Sequence, residues 1–196
     1  GTRLAAVRSI AALGARGGED VVRALAGCVD DEEYHVRKAA VESLVAVSER
    51  GDELAYHAMS TFLHDEDEDV RAAAVRALAR VARRGHRDAV AALAARLEDE
   101  HWQVRKAAVL ALLDVAEDGD KHAIDKVRSC VEDSNDDVRR TAAHCLLHIG
   151  KTERGAQGAI DSLMDVANAL LKDQRWWTQG AQHQSCAECG ACSNLT

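Results

Sequence analysis

Hydrophobic positions along the chain form a pattern that repeats every 34 residues. Within each period, apolar residues follow one another at steps of three and four, which is the spacing of one face of an α-helix. A glycine and then an acidic segment interrupt the pattern at the same place in each period. Each period therefore predicts two amphipathic helices, A and B, joined by a short loop, with an acidic turn leading to the next pair.

A Val-Arg dipeptide marks the start of helix A in most units. It occurs at Val36-Arg37, Val70-Arg71, Val104-Arg105 and Val138-Arg139, and one period upstream Thr2-Arg3 takes its place. We expect helix A to run from this dipeptide to just before a glycine in the left-handed conformation, which ends the helix. The four glycines are Gly17, Gly51, Gly85 and Gly119.

The repeat also sets the predicted domain organisation. A single helix pair cannot bury its own apolar faces, whereas stacked pairs share a continuous core. We therefore predict one solenoid over residues 1–177, with units starting near residues 2, 36, 70, 104 and 138. The fifth unit has a longer loop and an extended helix B at about residues 159–177, which resembles a C-terminal cap. Residues 178–196 are predicted to be a flexible, cysteine-rich tail.

Composition supports the helical prediction. Hydrophobic residues make up 47% of the chain, but aromatic residues only 3%, and proline is absent. The core must therefore consist of Ala, Val, Leu and Ile, and the chain is rich in strong helix formers. The aromatic and β-branched clusters typical of β-sandwiches and barrels are missing.

The charge balance argues against two classes of partner. The chain carries 33 acidic and 25 basic residues, which gives a net charge of −8. Nucleic acids and anionic membranes both require a basic patch. No apolar run approaches the roughly 18 residues of a membrane-spanning helix. We therefore expect a protein partner, no nucleic acid and no direct membrane insertion.

One motif resembles a known repeat family. The pattern D-x-x-x-x-V-R-x-A-A-V-x-x-L occurs at residues 31–44, 65–78 and 99–112. It resembles the short HEAT-like repeat, also called the phycobilisome-lyase HEAT-like repeat. Tetratricopeptide repeats have the same length, but their Trp, Gly-Tyr and Pro signature positions are missing here. With this resemblance, the predicted fold is an all-α, right-handed α-solenoid of five helix-pair repeats, with B helices lining the concave face.

The resemblance also implies a structural ladder of aspartate and arginine along the solenoid. Arginine is a rigid donor fork that can bridge a carboxylate or turn carbonyls in its own and neighbouring units. We therefore expect Arg105→Ala to destabilise the array more than Arg83→Ala does. The ladder would consist of Asp31, Asp65, Asp99 and Asp133 with Arg37, Arg71, Arg105 and Arg139.

The resulting functional hypothesis is a non-catalytic protein-binding scaffold or adaptor. Outward positions of the B helices would line the binding groove, with stronger anchors, two of them aromatic, in the acidic inter-repeat turns. Two alternatives stay open: a structural subunit of a larger complex, and a bilin lyase-like, chromophore-handling protein. The predicted binding residues are Arg23, His57, Thr61, Asp125 and Arg128 on the B helices, and Tyr34 and Trp102 in the turns.

Cysteines suggest one further site and a compartment. The tail carries His183-x-x-Cys186-x-x-Cys189-x-x-Cys192, and closely spaced thiols and imidazole can hold zinc. Zinc binding is one hypothesis for this segment, beside a redox-labile tail or a strap held by a partner. No other cofactor is expected. The scattered Cys28, Cys130 and Cys145 fit buried small residues, which favours an intracellular, reducing compartment such as the cytoplasm or an organelle.

Overall fold

A computed structural model describes residues 1–12, 18–117 and 119–150 of the chain. All regular secondary structure in these residues is helical. The A helices are α1 (Thr2–Ala12), α3 (Tyr34–Val47), α5 (Glu68–Val81), α7 (Trp102–Val115) and α9 (Asp136–Gly150). The B helices are α2 (Gly18–Ala26), α4 (Glu53–Thr61), α6 (Arg87–Ala95) and α8 (Lys121–Ser129). The prediction of an all-α repeat solenoid is confirmed.

A short 3₁₀ turn follows each described B helix and leads to the next unit. These turns are Gly27–Asp30, Phe62–His64, Arg96–Glu98 and Cys130–Glu132. Each is followed by a residue of the fixed aspartate column, whose amide donates to the carbonyl of the residue three positions before it, as Asp65 does to Phe62. The tight 3₁₀ ending therefore brings each aspartate to the same place beside the next A helix.

The helices form two layers. Successive A helices pack side by side from α1 to α9, and neighbouring B helices contact each other less. Each B helix packs against the A helix of the next unit more extensively than against that of its own unit. The apolar face of each unit is therefore covered by its neighbour, as expected for a stacked array.

Small aliphatic residues make this close packing possible. Ala40, Ala74 and Ala108 are fully buried in the A layer. Leucines recur at one buried column of the A helices, and among the residues described Phe62 is the largest fully buried side chain. A methyl group in place of a larger side chain lets two helices approach closely, so aromatic residues are not needed to fill this core.

The A helices begin and end differently from the sequence prediction. They start two residues before the Val-Arg, and they end at Val47, Val81 and Val115, where the next residue is extended. Two of the glycines that recur at one position of the repeat have positive φ, +93° at Gly51 and +79° at Gly85. They come directly before the N-cap of helix B. The prediction that a glycine ends helix A is therefore wrong, because the chain leaves the helix extended and the left-handed residue turns it into helix B.

The predicted helix B of the fifth unit and the predicted tail at 178–196 lie outside the described residues. No helix in the described part of the chain is long and apolar enough to cross a bilayer.

Candidate functional site

Arginine–aspartate pairs join successive units at the edge of the solenoid that contains the inter-repeat turns, here called the turn edge. Arg71 Nε and Nη2 donate to the two carboxylate oxygens of Asp99 at 2.9 and 3.0 Å. Arg71 Nη1 donates to the backbone carbonyls of Asp65 and Glu66 at 2.8 and 3.0 Å. One guanidinium therefore holds the turn before its own helix and the turn before the next helix together.

The same arrangement recurs along the array. Arg37 forks onto Asp65 at 2.8 and 2.9 Å, and Arg105 forks onto Asp133 at 2.7 and 2.8 Å. Each pair spans 28 residues, so the arginine of one unit binds the aspartate that opens the next. At the first unit, Arg3 Nε lies 3.0 Å from Asp31 Oδ2.

The last described arginine of this column has a different set of contacts. Arg139 Nη1 donates to the carbonyls of Asp133 and Ser134 at 2.8 and 3.1 Å. Its Nη2 contacts the carboxylate of Asp136 within the same helix. Arg139 therefore makes the backbone contacts of the column and pairs locally.

The central pairs are withdrawn from solvent. The Arg71 and Asp99 side chains are only 7% and 4% exposed. Burial raises the pKa of Asp99, but the Arg71 fork and the amide of His101 outweigh it and hold the pKa below its usual value. The pKa of Arg71 is raised, chiefly by its hydrogen bond to Asp99. Because each charge is neutralised by its partner, these residues stabilise the array and do not offer a charge to a ligand.

Two open clefts flank the Asp65 turn on the side of the B helices. Their volumes are about 400 and 480 Å³. Each lies between the C-terminal ends of two successive B helices, so the two clefts are one repeat apart. The first is lined by Val29, Asp30, Asp31, Glu32, Arg37, Thr61, His64, Asp65 and Glu66. The second is lined by His64, Asp65, Glu66, Arg71, Ala95, Arg96, Glu98, Asp99 and Glu100.

Both clefts are acidic at their rims. Although Asp65 and Asp99 are neutralised by the ladder, the Glu66 and Glu100 side chains are 84% and 76% exposed. They reach the ladder arginines only at 3.2 and 3.4 Å, in contact with solvent. Exposed ion pairs of this kind are weak. The two glutamates can therefore exchange their arginine contact for a cationic ligand.

Most residues predicted to bind on the B helices are exposed. Arg23, His57, Thr61 and Asp125 are exposed, and Arg128 is half-buried. Thr61 lines the first cleft. We call the exposed positions His57, Thr61, Ala91, Ala95, Asp125 and Ser129 the B-helix surface.

Charged members of the predicted set are engaged within their own helices. Arg23 pairs with Glu19 at 2.7 Å and with Asp20 at 3.3 Å. Arg128 lies 3.7 Å from Asp125. Such pairs along one helix turn stabilise the helix slightly and are readily exchanged at an exposed surface.

The two predicted aromatic anchors do not lie in the inter-repeat turns. Tyr34 and Trp102 are the first residues of α3 and α7, because the A helices start earlier than predicted. Tyr34 is 37% exposed and stacks on His35, with 3.8 Å between ring centroids. Trp102 is half-buried against the core, and Lys106 Nζ lies 5.8 Å from its ring centroid. Neither lines the clefts. The predicted location in the turns is therefore corrected to the helix starts, and a binding role of Tyr34 and Trp102 stays a prediction.

Other cleft residues were not among the predicted binding residues. Arg96 Nη1 donates to the Leu63 carbonyl at 3.0 Å and so crosses from one unit to the previous one. The other described units have phenylalanine or cysteine at this position of the repeat. An arginine at an otherwise apolar position could have identified Arg96 as a candidate from the sequence. Similarly, His64 interrupts a column that is otherwise acidic, and it lines both clefts.

No three His, Cys, Asp or Glu side chains converge as a metal site in the residues that the structure covers. The predicted zinc ligands His183, Cys186, Cys189 and Cys192 lie outside these residues, so zinc binding by the tail stays a hypothesis.

The stacked helix pairs and the buried arginine–aspartate ladder define an α-solenoid repeat protein. The family model for HEAT repeats matches residues 2–79 and 57–146, and the chain belongs to this family. The predicted resemblance is therefore confirmed. A search of curated protein sequences gives no significant match.

Solved structures with the same architecture include a designed armadillo repeat protein in complex with the peptide (KR)₄. It is 19% identical, with 91% of this chain and 89% of that chain covered and a TM-score of 0.58. Another is the complex of CpcE and CpcF of phycocyanin lyase from Nostoc sp. PCC7120, at 21% identity, 71% and 86% coverage and a TM-score of 0.58. At these identities the likeness establishes the fold alone.

Proposed function

We propose that this chain is a non-catalytic protein-binding scaffold whose B-helix surface and two clefts receive an extended segment of a partner protein. The observation that carries the proposal is the repetition of the clefts. Because they are one repeat apart and open on the same side, a single extended segment could place side chains in both. Small residues such as Ala91 and Ala95 on the surface leave room for its backbone.

The rims of the clefts favour a cationic segment. The first cleft has five carboxylates against one arginine, and the second has five against two. Glu66 and Glu100 provide the exposed negative charge. Such a surface would attract lysine or arginine side chains of a partner, and the spacing of its carboxylates would fix the position of the segment along the array. A designed armadillo repeat protein of this fold was solved in complex with the basic peptide (KR)₄.

The pairing of the buried charged side chains also agrees with a binding role. The buried arginines and aspartates are paired with each other, and scaffolding is typical of the HEAT fold. The proposed mechanism is therefore surface complementarity without a chemical step.

A labelled alternating Lys-Arg octapeptide tests the cationic preference. We expect saturable binding by fluorescence anisotropy, weakened about tenfold by the double change Glu66→Gln and Glu100→Gln, since each loses an exposed charge facing the ligand. Glu42→Gln is the matched control, because Glu42 is exposed on α3 and lines neither cleft. Equal weakening by the control would show that only net charge matters and would overturn the proposed site.

Site-specific crosslinking tests the surface with the natural partner. A photoreactive amino acid at Thr61 or Ala95 should crosslink a partner protein in cell extract, and the same amino acid at Ala46 should not. Ala46 is exposed on α3, an A helix. Crosslinks of equal yield from Ala46 would place the partner elsewhere.

A further inference from the structure

Three arginines gather at the edge opposite the turn edge, where loops join helices A and B of the second and third units. Arg50 Nε and Nη2 donate to the carbonyls of Arg80 and Ala79 at 3.4 and 3.3 Å. Arg83 Nη2 donates to the carbonyl of Gly51 at 3.4 Å. These bonds connect the two successive loops, with the Arg50 guanidinium against the backbone of Arg80 and that of Arg83 against the backbone of Gly51. We call Arg50, Arg80 and Arg83 the arginine edge.

The positive charge of the arginine edge is not neutralised. In the described part of the chain, no carboxylate lies within ion-pair distance of Arg50, Arg80 or Arg83, and all three residues are exposed. Arg50 and Arg83 donate to neutral carbonyls, which use some N–H groups and leave the charge intact. This contrasts with the ladder, where each fork from Arg37 to Arg105 closes on an aspartate.

Helix capping explains only part of this arrangement. The carbonyls of Ala79 and Arg80 belong to the last turn of α5, where a cation stabilises the helix dipole. That accounts for the orientation of Arg50. It does not account for Arg80, whose side chain makes no hydrogen bond or ion pair with any described residue. An exposed arginine without a partner beside two others is a ready receptor for carboxylates.

Acidic residues also occur near this cluster. Glu49 precedes Arg50 in the same loop, and Asp114 occupies the position of Arg80 in the next unit. Glu117 has its carboxylate near Gly85, where a Cβ would meet its Oε1 at 2.4 Å. The arginine edge itself comprises three side chains, which is a small area. A short acidic ligand fits such an area, whereas a nucleic acid requires a longer basic footprint.

We propose that the arginine edge docks a short acidic segment of a partner protein, at a surface separate from the B-helix surface. Guanidinium groups bind carboxylates bidentately, so three neighbouring arginines can receive successive Asp or Glu side chains. In a protein of net charge −8, the overall charge repels such a segment, which favours its binding at a local group of arginines. The proposal is independent of the cationic segment proposed for the clefts.

The test uses the full chain and a fluorescein-labelled octaglutamate peptide in low-salt buffer. We expect saturable binding that is weakened about tenfold by Arg80→Glu, because the variant places a negative charge against the ligand. Arg80→Glu breaks no described contact, so the fold should be retained. A second variant, Arg50→Gln with Arg83→Gln, keeps hydrogen-bond donors and removes the charges. It should weaken binding to a similar extent.

Arg8→Glu is the matched control, since Arg8 is exposed on α1 and undergoes the same change of charge. It should leave the affinity for octaglutamate within twofold of that of the unaltered chain. The small remaining difference reflects the long-range effect of the changed net charge. Absence of binding, or equal weakening by Arg8→Glu, would overturn the proposal. So would tighter binding of an eight-nucleotide oligothymidylate than of octaglutamate, which would indicate nucleic acid.

Discussion

The backbone amide of Gly85 donates a hydrogen bond to the carbonyl oxygen of Val115, with 2.6 Å between nitrogen and oxygen. Gly51 makes the same bond to Val81, also at 2.6 Å. Val81 and Val115 are the last residues of A helices, whose final carbonyls have no partner within the helix. The loops of the second and third units therefore cap the A helix of the unit that follows, while the arginine–aspartate ladder joins the units at the other end.

Replacing Gly85 with alanine should destabilise the protein. Gly85 has φ of +79°, a conformation that costs a residue with a Cβ about 1–3 kcal/mol. The new methyl group would also displace the Glu117 side chain, which is flexible and can move at little cost. We expect a loss of about 1–2 kcal/mol in the free energy of unfolding, measured by urea denaturation followed by circular dichroism.

Gly27→Ala is the control for this prediction. No atom lies within 4 Å of a Cβ built at Gly27, and its φ is not positive. It should leave stability unchanged or raise it slightly, because alanine restricts the unfolded chain. If the two variants unfold at the same urea concentration, the left-handed turn at Gly85 does not contribute to stability.

The helix pairs could be predicted because their signal is repeated. Leu44, Leu78 and Leu112 recur at one column, and all three are buried. A buried apolar column at helical spacing, recurring at one period, leaves little alternative to stacked amphipathic helices.

The starts of the A helices could not be predicted in the same way. They depend on local hydrogen bonds in the turns, where Asp65 Oδ1 accepts from the Asp67 amide and Asp67 Oδ1 accepts from the amides of Asp69 and Val70. The Asp67 cap begins α5 before its Val-Arg, whereas α7 begins at Trp102 after His101, which makes no side-chain cap. In a run of acidic residues, the sequence does not indicate which side chain accepts the hydrogen bonds from the first amides of the helix.

The partner of each ladder arginine was also open at the level of sequence. Arg37, Arg71 and Arg105 each have an aspartate six residues before them and another 28 residues after them. The structure uses the carboxylate of the later one and the backbone carbonyl of the earlier one, as for Arg71 with Asp99 and Asp65. This choice depends on the three-dimensional offset between units, which the linear period does not contain.

Removing a ladder arginine should cost more than removing an exposed one. Arg105→Ala leaves the Asp133 carboxylate, only 9% exposed, without its counter-charge. Breaking a buried ion pair on one side costs about 3–5 kcal/mol. Arg83→Ala loses one carbonyl contact at the surface and should cost below about 1 kcal/mol. Urea denaturation of both variants compares them directly, and equal shifts in the midpoint would contradict a structural role for the ladder.

Acid should weaken the array through the same carboxylates. Burial raises the pKa of Asp99 and Asp133, but the arginine forks and turn amides lower it further, so the folded-state pKa is below the ordinary value. A lowered pKa contributes stability above the unfolded pKa of about 3.9, and this is lost as the pH falls through the folded value. We expect the urea midpoint of unfolding to decrease when the pH is lowered below about 4.

The variant Asp99→Asn tests this assignment. It should be less stable than the unaltered protein at pH 7 and should lose less stability on acidification. An unchanged acid slope in this variant, relative to Glu42→Gln, would show that Asp99 does not carry the effect.

Thiol reactivity should report the packing of the units. Burial raises the pKa of Cys130 and of Cys145 to about 11. At pH 8 only about a thousandth of such a thiol is thiolate, and the buried sulfur is also shielded from reagents. Cys28 is half-buried, with a pKa raised by burial and by Asp31.

We therefore expect iodoacetamide to alkylate Cys28 well before Cys130 and Cys145 in native buffer, and all three at similar rates in urea. Mass spectrometry of the digested protein resolves the three sites, so other cysteines do not interfere. Since Cys130 opens the 3₁₀ turn that leads to Asp133, its protection should decrease in Arg105→Ala, which releases that turn, and not in Arg83→Ala. If Cys130 reacts as fast as Cys28 in the native protein, the turn is not packed as described.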